Sequence, residues 1–362
     1  MSERIRHDAR LSTRIEERIR RMSTCLEHNE RLVTQLLSNF NYTLALPHHA
    51  SNNLASFERS TNDDKNEMQK DPEIRSSPSS TLFRMFDSTL RNQRGSNLPE
   101  SETHSYDSTI QILAHLTRDW TKEGRSVRQS VYDWCCEQVE KYSPQQQGAK
   151  ILVPGAGMGR LAYDLYQKRH HVEANELSLS MAAAASVVLQ GSVTGYLHPY
   201  LLDVMANEVD SDRRYDASMF PDVDIQGNIL PDASLSYTVD DFVGGQQDFY
   251  YVQRLGSFDV IVTCFFIDTA HNIYEYLGMI EALLKPKTGI WVNVGPVQWH
   301  PKAVLRPSVD ELKDLVQVMG WKVKVWKVDD EPVSYRESDP NFVRMTNYNG
   351  YRPLRFVVAR SN

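Results

Sequence analysis

Between residues 150 and 360, short apolar runs alternate with stretches of helical spacing. The runs are KILVP (150–154), HVEANE (171–176), FDVIVTCFF (258–266), GIWVNVGP (289–296), WKVKVWKV (321–328) and LRFVVAR (354–360). Apolar steps of three and four mark helices between several of them, over 160–169, 178–190, 272–285 and 308–319. Strands separated by helices assemble into a mostly parallel sheet covered on both faces. The last two runs lie close together and predict an antiparallel hairpin at one edge. The fold class expected is therefore α/β. The stretch 196–237 breaks the rhythm, and a long irregular segment in a compact domain reads as a lid or substrate wall.

Upstream the pattern changes twice. Residues 9–40 place Leu11, Ile15, Ile19, Met22, Leu26, Val33, Leu36, Leu37 and Phe40 at helical steps, an amphipathic helix or helix pair. Such a face either packs on the main domain or pairs with a second copy. Residues 48–80 are rich in Ser and Asn and poor in large apolar groups, too little to offset ordering entropy. The expected division is thus 1–47 helical, 48–104 a polar disordered insertion, 105–148 a helical cap, and 149–362 the main domain. Two helices are read in the cap, one through Leu113, Leu116 and Trp120, the other through Val127, Val131, Cys135 and Val139, broken by KEGR at 122–125.

A net charge of −7 argues against nucleic acid as a partner, and no apolar run is long enough to span a bilayer. The charged start MSERIRHDARLSTRIEERIRR does not read as a secretory signal. Four cysteines without CxxC spacing argue against a zinc site, so no metal is expected. A reducing compartment follows: the cytoplasm, with the nucleus as a second setting.

The first strand runs into GAGMG, with Gly155, Gly157 and Gly159 opening a helix. Glycines there permit positive φ and let backbone approach a ligand. Glu176 ends the second strand, where a carboxylate can accept two ribose hydroxyls. A dinucleotide fingerprint needs a glycine where Arg160 stands, so an adenosine ligand without pyrophosphate fits better: S-adenosylmethionine. VDDF then supplies Asp241 for the adenine amino group and Phe242 for its ring. This glycine–acid–acid order predicts a Rossmann-like class I methyltransferase sheet.

The FDVIVTCFF strand leads into CFFIDTAHN, placing Asp268 and His271 at its carboxyl end, where open α/β sheets bind ligands. His300 and the tyrosines Tyr348 and Tyr351 reach the same rim. Together VPGAGMGRLAYDL, NELS, MFPDVD, DDF, CFFIDTAHN, GPVQWH and the upstream LTRDWTKEGRSVR resemble the carnosine N-methyltransferases, over about residues 105–360. The resemblance implies methylation of the histidine imidazole in carnosine, giving anserine, or in a related histidine-containing dipeptide. It implies S-adenosylmethionine contacts from Arg118, Gly155, Glu176, Asp241, Phe242 and Cys264, and from His115, which stands where the family has a glutamine. It also implies substrate contacts from Asp268, His300 and Tyr351, with Asp268 catalytic, and a homodimer.

The chemistry follows from the imidazole. A neutral ring nitrogen needs no base to attack an activated methyl, only placement in line. A carboxylate on the other ring N–H selects the tautomer and stabilises the developing cation. For Asp222 and Asp224 of MFPDVD, a turn cap is the favoured reading over contact with a substrate amine. Methylation of a histidine in a peptide or protein is the alternative reaction. A non-catalytic scaffold of the same fold is the other competing reading, and a nicotinamide oxidoreductase is disfavoured by Arg160.

Overall fold

The computed structural model describes residues 13–36, 109–199, 201, 212–243, 253–335 and 350–361. The polar insertion at 48–104, the ends of the N-terminal segment and Tyr348 lie outside them.

Helix α1 covers residues 13–36, α2 Thr109–Trp120 and α3 Arg125–Tyr142. Then come β1 (Lys150–Pro154), α4 (Arg160–Gln167), β2 (His171–Glu176) and α5 (Leu179–Leu189). A small antiparallel pair, β3 (Gly195–Leu197) and β4 (Ser218–Phe220), precedes β5 (Ser234–Val239). The chain continues through β6 (Val260–Cys264), α6 (Ile273–Leu283), β7 (Ile290–Gly295), α7 (Val309–Val318), β8 (Lys322–Val328) and β9 (Leu354–Ala359).

Seven of these strands form one sheet in the order β5-β2-β1-β6-β7-β9-β8. The first five run parallel, and β9 pairs antiparallel with both β7 and β8. This is the mostly parallel α/β sheet expected, with its antiparallel edge. The edge strand β8 carries Lys322, Lys324 and Lys327, charges that discourage pairing with another chain. Strand β5 was not among the apolar runs, because SLSYTV offers only alternate large side chains.

The two faces bury different helices. One cluster joins β1, β2, β5 and the central strands to the end of α1 and to α2–α5. The other packs α6 and α7 on the opposite face around Trp291 and Phe356. Helix α5 is apolar all round and buried from Met181 to Leu189, its four consecutive alanines allowing close approach to the sheet. Only the second half of α1 is seated: Cys25, Leu32, Val33 and Leu36 are buried, whereas Ile15, Ile19 and Leu26 are exposed, Ile19 at 59%.

His170, between α4 and β2, is completely buried, and neither ring nitrogen has a hydrogen-bond partner among the described residues. Burial holds its pKa below the ordinary 6.5. The unfolded chain therefore takes the proton first, and stability is lost as pH falls below about 6.5. We expect His170→Leu to gain about 1–3 kcal/mol in urea unfolding at pH 7, and more at pH 5.5. A gain that does not grow on acidification would contradict this account.

Candidate active site

Strand order reverses at β1, which lies between β2 and β6. The carboxyl ends of β1 and β6 therefore flank the crevice where this architecture takes ligands. The glycine turn leaves β1 there, and CFFID leaves β6.

The turn holds left-handed backbone at Gly155 (φ 63°) and Gly157 (φ 55°). A Cβ at Gly155 would lie 2.4 Å from Phe266 Cδ2, so any side chain there would collide with that ring. A Cβ at Gly157 would meet nothing within 4 Å, which leaves backbone facing open space as a cradle requires. Glu176 is tied to this turn. Its Oε2 accepts the Gly157 N–H at 2.9 Å, and its Oε1 accepts the N–H groups of Leu177 and Ser178, each at 2.9 Å. Tyr237 donates its hydroxyl to the Gly157 carbonyl from below. Beside them, Asp240 N–H bonds the Glu176 carbonyl at 3.1 Å, and Asp241 Oδ1 caps the Val243 N–H at 3.0 Å. Gly157, Glu176, Asp240 and Asp241 are thus linked by hydrogen bonds along one rim, the last through Asp241 N–H on Asp240 Oδ1 at 2.8 Å. Phe242 is buried, its ring edge-on to Phe266 (5.2 Å) and Tyr276 (5.4 Å).

Beyond Cys264, Phe265 adopts φ 55°, a strained conformation for an aromatic residue and one that clusters at functional sites. Its ring contacts Tyr335 (4.8 Å) and Tyr351 (5.1 Å), while the next ring, Phe266, covers Gly155. These consecutive phenylalanines connect the glycine turn to a second group of side chains on α2. There Arg118 donates from Nε and Nη2 to Asp119 at 2.7 and 3.3 Å, and Tyr132 donates to the same carboxylate at 3.0 Å. Burial alone would raise the Asp119 pKa, but the adjacent guanidinium and the hydrogen bonds hold it below the ordinary value. Arg118 Nη1 and the Tyr351 hydroxyl are buried without a hydrogen-bond partner among the described residues. Burial pushes the Tyr351 phenol well up, so it stays a neutral donor. His115 Nδ1 lies 2.8 Å from the Gln111 carbonyl, so that nitrogen carries a proton.

Asp268 sits in a one-turn helix, Ile267–Thr269, directly after the two phenylalanines. It is 9% exposed. Burial raises its carboxyl pKa from 3.8 to about 7, against the pull of N–H donation from its own backbone and from Gln298. The loop after β7 closes over it: His300 N–H bonds the Asp268 carbonyl at 2.9 Å. The His300 ring stacks on His271 at 5.1 Å, and its Nδ1 accepts the Lys302 N–H at 3.2 Å, leaving Nε2 as the protonated nitrogen of the neutral ring.

The structure therefore groups the expected residues in three sets around Phe265 and Phe266. Glu176 and Asp241 rim the glycine turn; Asp268, after β6, and His300, in the loop after β7, are joined by a backbone hydrogen bond; Arg118, His115 and Tyr351 surround Phe265. Phe265, Phe266, Asp119 and Tyr335 were not read as site residues. The paired phenylalanines before Asp268 were the visible signal for two of them. Of the two loop acids, Asp224 caps its turn through the Gly227 N–H at 3.0 Å. Asp222 does not act as a turn cap: it is buried between Arg128 and Arg160. That bridge also explains Arg160, which uses its position to hold Asp222, the Asp164 carboxylate and the Asp119 carbonyl rather than to open space for a pyrophosphate.

A family model for carnosine N-methyltransferases matches residues 96–360. The chain belongs to this family. The mouse carnosine N-methyltransferase is 32% identical over 245 residues, 64% of this chain and 59% of that protein. The Dictyostelium discoideum member is 30% identical over 235 residues, 62% of this chain and 50% of that protein. The match thus spans less than two thirds of these relatives' length. Among solved structures, Haemonchus contortus phosphoethanolamine N-methyltransferase 2 aligns over 71% of this chain and 58% of that one, at 12% identity and a TM-score of 0.43. No helix among the described residues is long and apolar enough to cross a membrane.

Proposed function

We propose that this family member transfers a methyl group from S-adenosylmethionine to an imidazole nitrogen of carnosine, giving anserine, or of a related histidine-containing dipeptide. The observation that carries this is Asp268, a buried carboxyl with a pKa of about 7 at the switch point of the sheet. The residues present fit the cofactor: an open glycine turn, a carboxylate beside it, and a buried arginine nitrogen awaiting an anion. When bound, the cofactor supplies an electrophilic sulfonium methyl.

In this reading Arg118 and His115 hold the cofactor's amino-acid end, and Glu176 its ribose. Asp241 takes the adenine amino group, with Phe242 and Cys264 lining the bed. Asp268 accepts the N–H of the ring nitrogen that does not react, which fixes the tautomer and aims the other lone pair. As positive charge develops on the ring, the carboxylate stabilises it in a water-poor setting. A pKa near 7 also suits Asp268 to take up that proton from the methylated ring. His300 Nε2 and the Tyr351 hydroxyl are donors for the dipeptide's carbonyl and carboxylate. The reading extends to a homodimer paired through the exposed Ile15, Ile19 and Leu26 of α1, in the cytoplasm and nucleus.

Incubation with S-adenosylmethionine and carnosine, histidine or a histidine-containing peptide tests this, with the new methyl located by NMR. We expect methylation of the carnosine ring. Transfer only to the longer peptide would favour a protein substrate, and cofactor binding without transfer to any imidazole would favour a scaffold.

A further inference from the structure

Tyr335 follows β8 by a few residues and meets the arginine side of the site through three contacts. Its ring lies 4.9 Å over the Arg118 guanidinium, a cation–π distance. The same ring is edge-on to Phe265 at 4.8 Å. Its hydroxyl is 3.2 Å from His115 Nε2. Because His115 Nδ1 already carries the proton that bonds Gln111, neutral Nε2 can only accept, and the Tyr335 O–H donates.

The guanidinium is thereby fixed on two sides. Asp119 takes Nε and Nη2, and aromatic rings cover the face, with Phe265 5.8 Å from the guanidinium carbon. What remains is Nη1, buried and without a partner among the described residues. Leaving such a donor unpaired is costly, whereas a charge-assisted bond to a carboxylate is among the stronger polar contacts. We infer that Tyr335 is a positioning residue, which locks Arg118 and His115 so that Nη1 is presented to the carboxylate of the cofactor's amino-acid end. The inference rests on the reading of Arg118 as a cofactor residue. It also accounts for His115 standing where the family has a glutamine: an imidazole can take the tyrosine hydroxyl while keeping its bond to the helix.

The test compares S-adenosylhomocysteine with its decarboxylated analogue by titration calorimetry, on the wild type, Tyr335→Phe and Tyr335→Ala. Tyr335→Ala is expected to weaken S-adenosylhomocysteine about tenfold and to leave the analogue within twofold. Tyr335→Phe keeps the ring over Arg118 and loses only the hydroxyl; about a threefold loss is expected, again confined to the carboxylate-bearing ligand. Equal losses for both ligands, or no loss for either, would overturn the positioning role while leaving the cofactor reading intact. Failure of the wild type to bind S-adenosylhomocysteine would overturn the cofactor reading and this inference with it.

Discussion

Asp268→Asn is expected to lower turnover by about two orders of magnitude and, at the same time, to stabilise the protein at alkaline pH. The first effect follows from removing the negative charge that faces the developing imidazolium, a loss typical of a single electrostatic stabiliser. The amide keeps the size of the side chain, so cofactor affinity should stay within threefold. The second effect follows from linkage. In the folded protein the carboxyl titrates near 7, about three units above its ordinary 3.8. A raised folded pKa means that stability is fully present at pH below 3.8 and is lost as pH rises through 7. At pH 8 the buried charge costs on the order of 2–4 kcal/mol, taking about 1.4 kcal/mol per unit. Urea unfolding should therefore show the variant more stable than wild type at pH 8, with the gap narrowing at pH 5.5. The rate profile carries the same signature. Wild-type turnover should climb between about pH 6 and 8, where both the substrate imidazole and Asp268 lose protons. The residual rate of the variant should follow the imidazole alone. Turnover within threefold of wild type would remove the carboxylate from the chemistry.

Much of this arrangement was legible in the chain because it is local. Strands β1 and β2 begin and end where their apolar runs do, since each run is bounded by glycine, proline or polar residues. The glycine turn, Glu176 and Asp241 are aligned in the sequence only by the order of their motifs, and hydrogen bonds join them in the fold, Asp241 by way of Asp240. The unread parts depend on long-range meetings. Strand β5 keeps serine and threonine on alternate positions, yet it is buried by α4 and α5 and pairs β2 over six residues. The positive φ of Phe265 has no signature in its residue type, which argues against it. Tyr335 meets His115 across 220 residues, a distance no local pattern spans. Arg160 was informative in the opposite way: its presence ruled against a pyrophosphate turn, while its reason lay 62 residues away in Asp222.

Asp222→Ala is expected to destabilise the protein by about 3–5 kcal/mol, because it strands two buried guanidinium groups. Asp222 Oδ2 bonds Arg128 Nη2, and Oδ1 bonds Arg160 Nη1 at 2.5 Å. All three side chains are less than a tenth exposed. The bridge also carries backbone: Arg128 Nη1 donates to the carbonyls of Arg118 (2.9 Å) and Thr121 (2.7 Å), and Asp222 N–H bonds the Trp120 carbonyl at 2.8 Å. The end of α2, which bears Arg118, is thus held by the loop that bears Asp222. At roughly 2–4 °C per kcal/mol for a domain of this size, the melting temperature should fall by about 10 °C. Burial and the neighbouring Arg160 already depress the Arg128 pKa, so removing the carboxylate leaves two mutually repelling cations. That identifies the control. Arg128→Met combined with Asp222→Ala removes one cation together with its partner, and about half of the lost stability should return, a non-additivity that independent sites do not show. A melting temperature for Asp222→Ala within 2 °C of wild type would mean that water or another group replaces the carboxylate, and that α2 is held in place by its apolar contacts with the core alone.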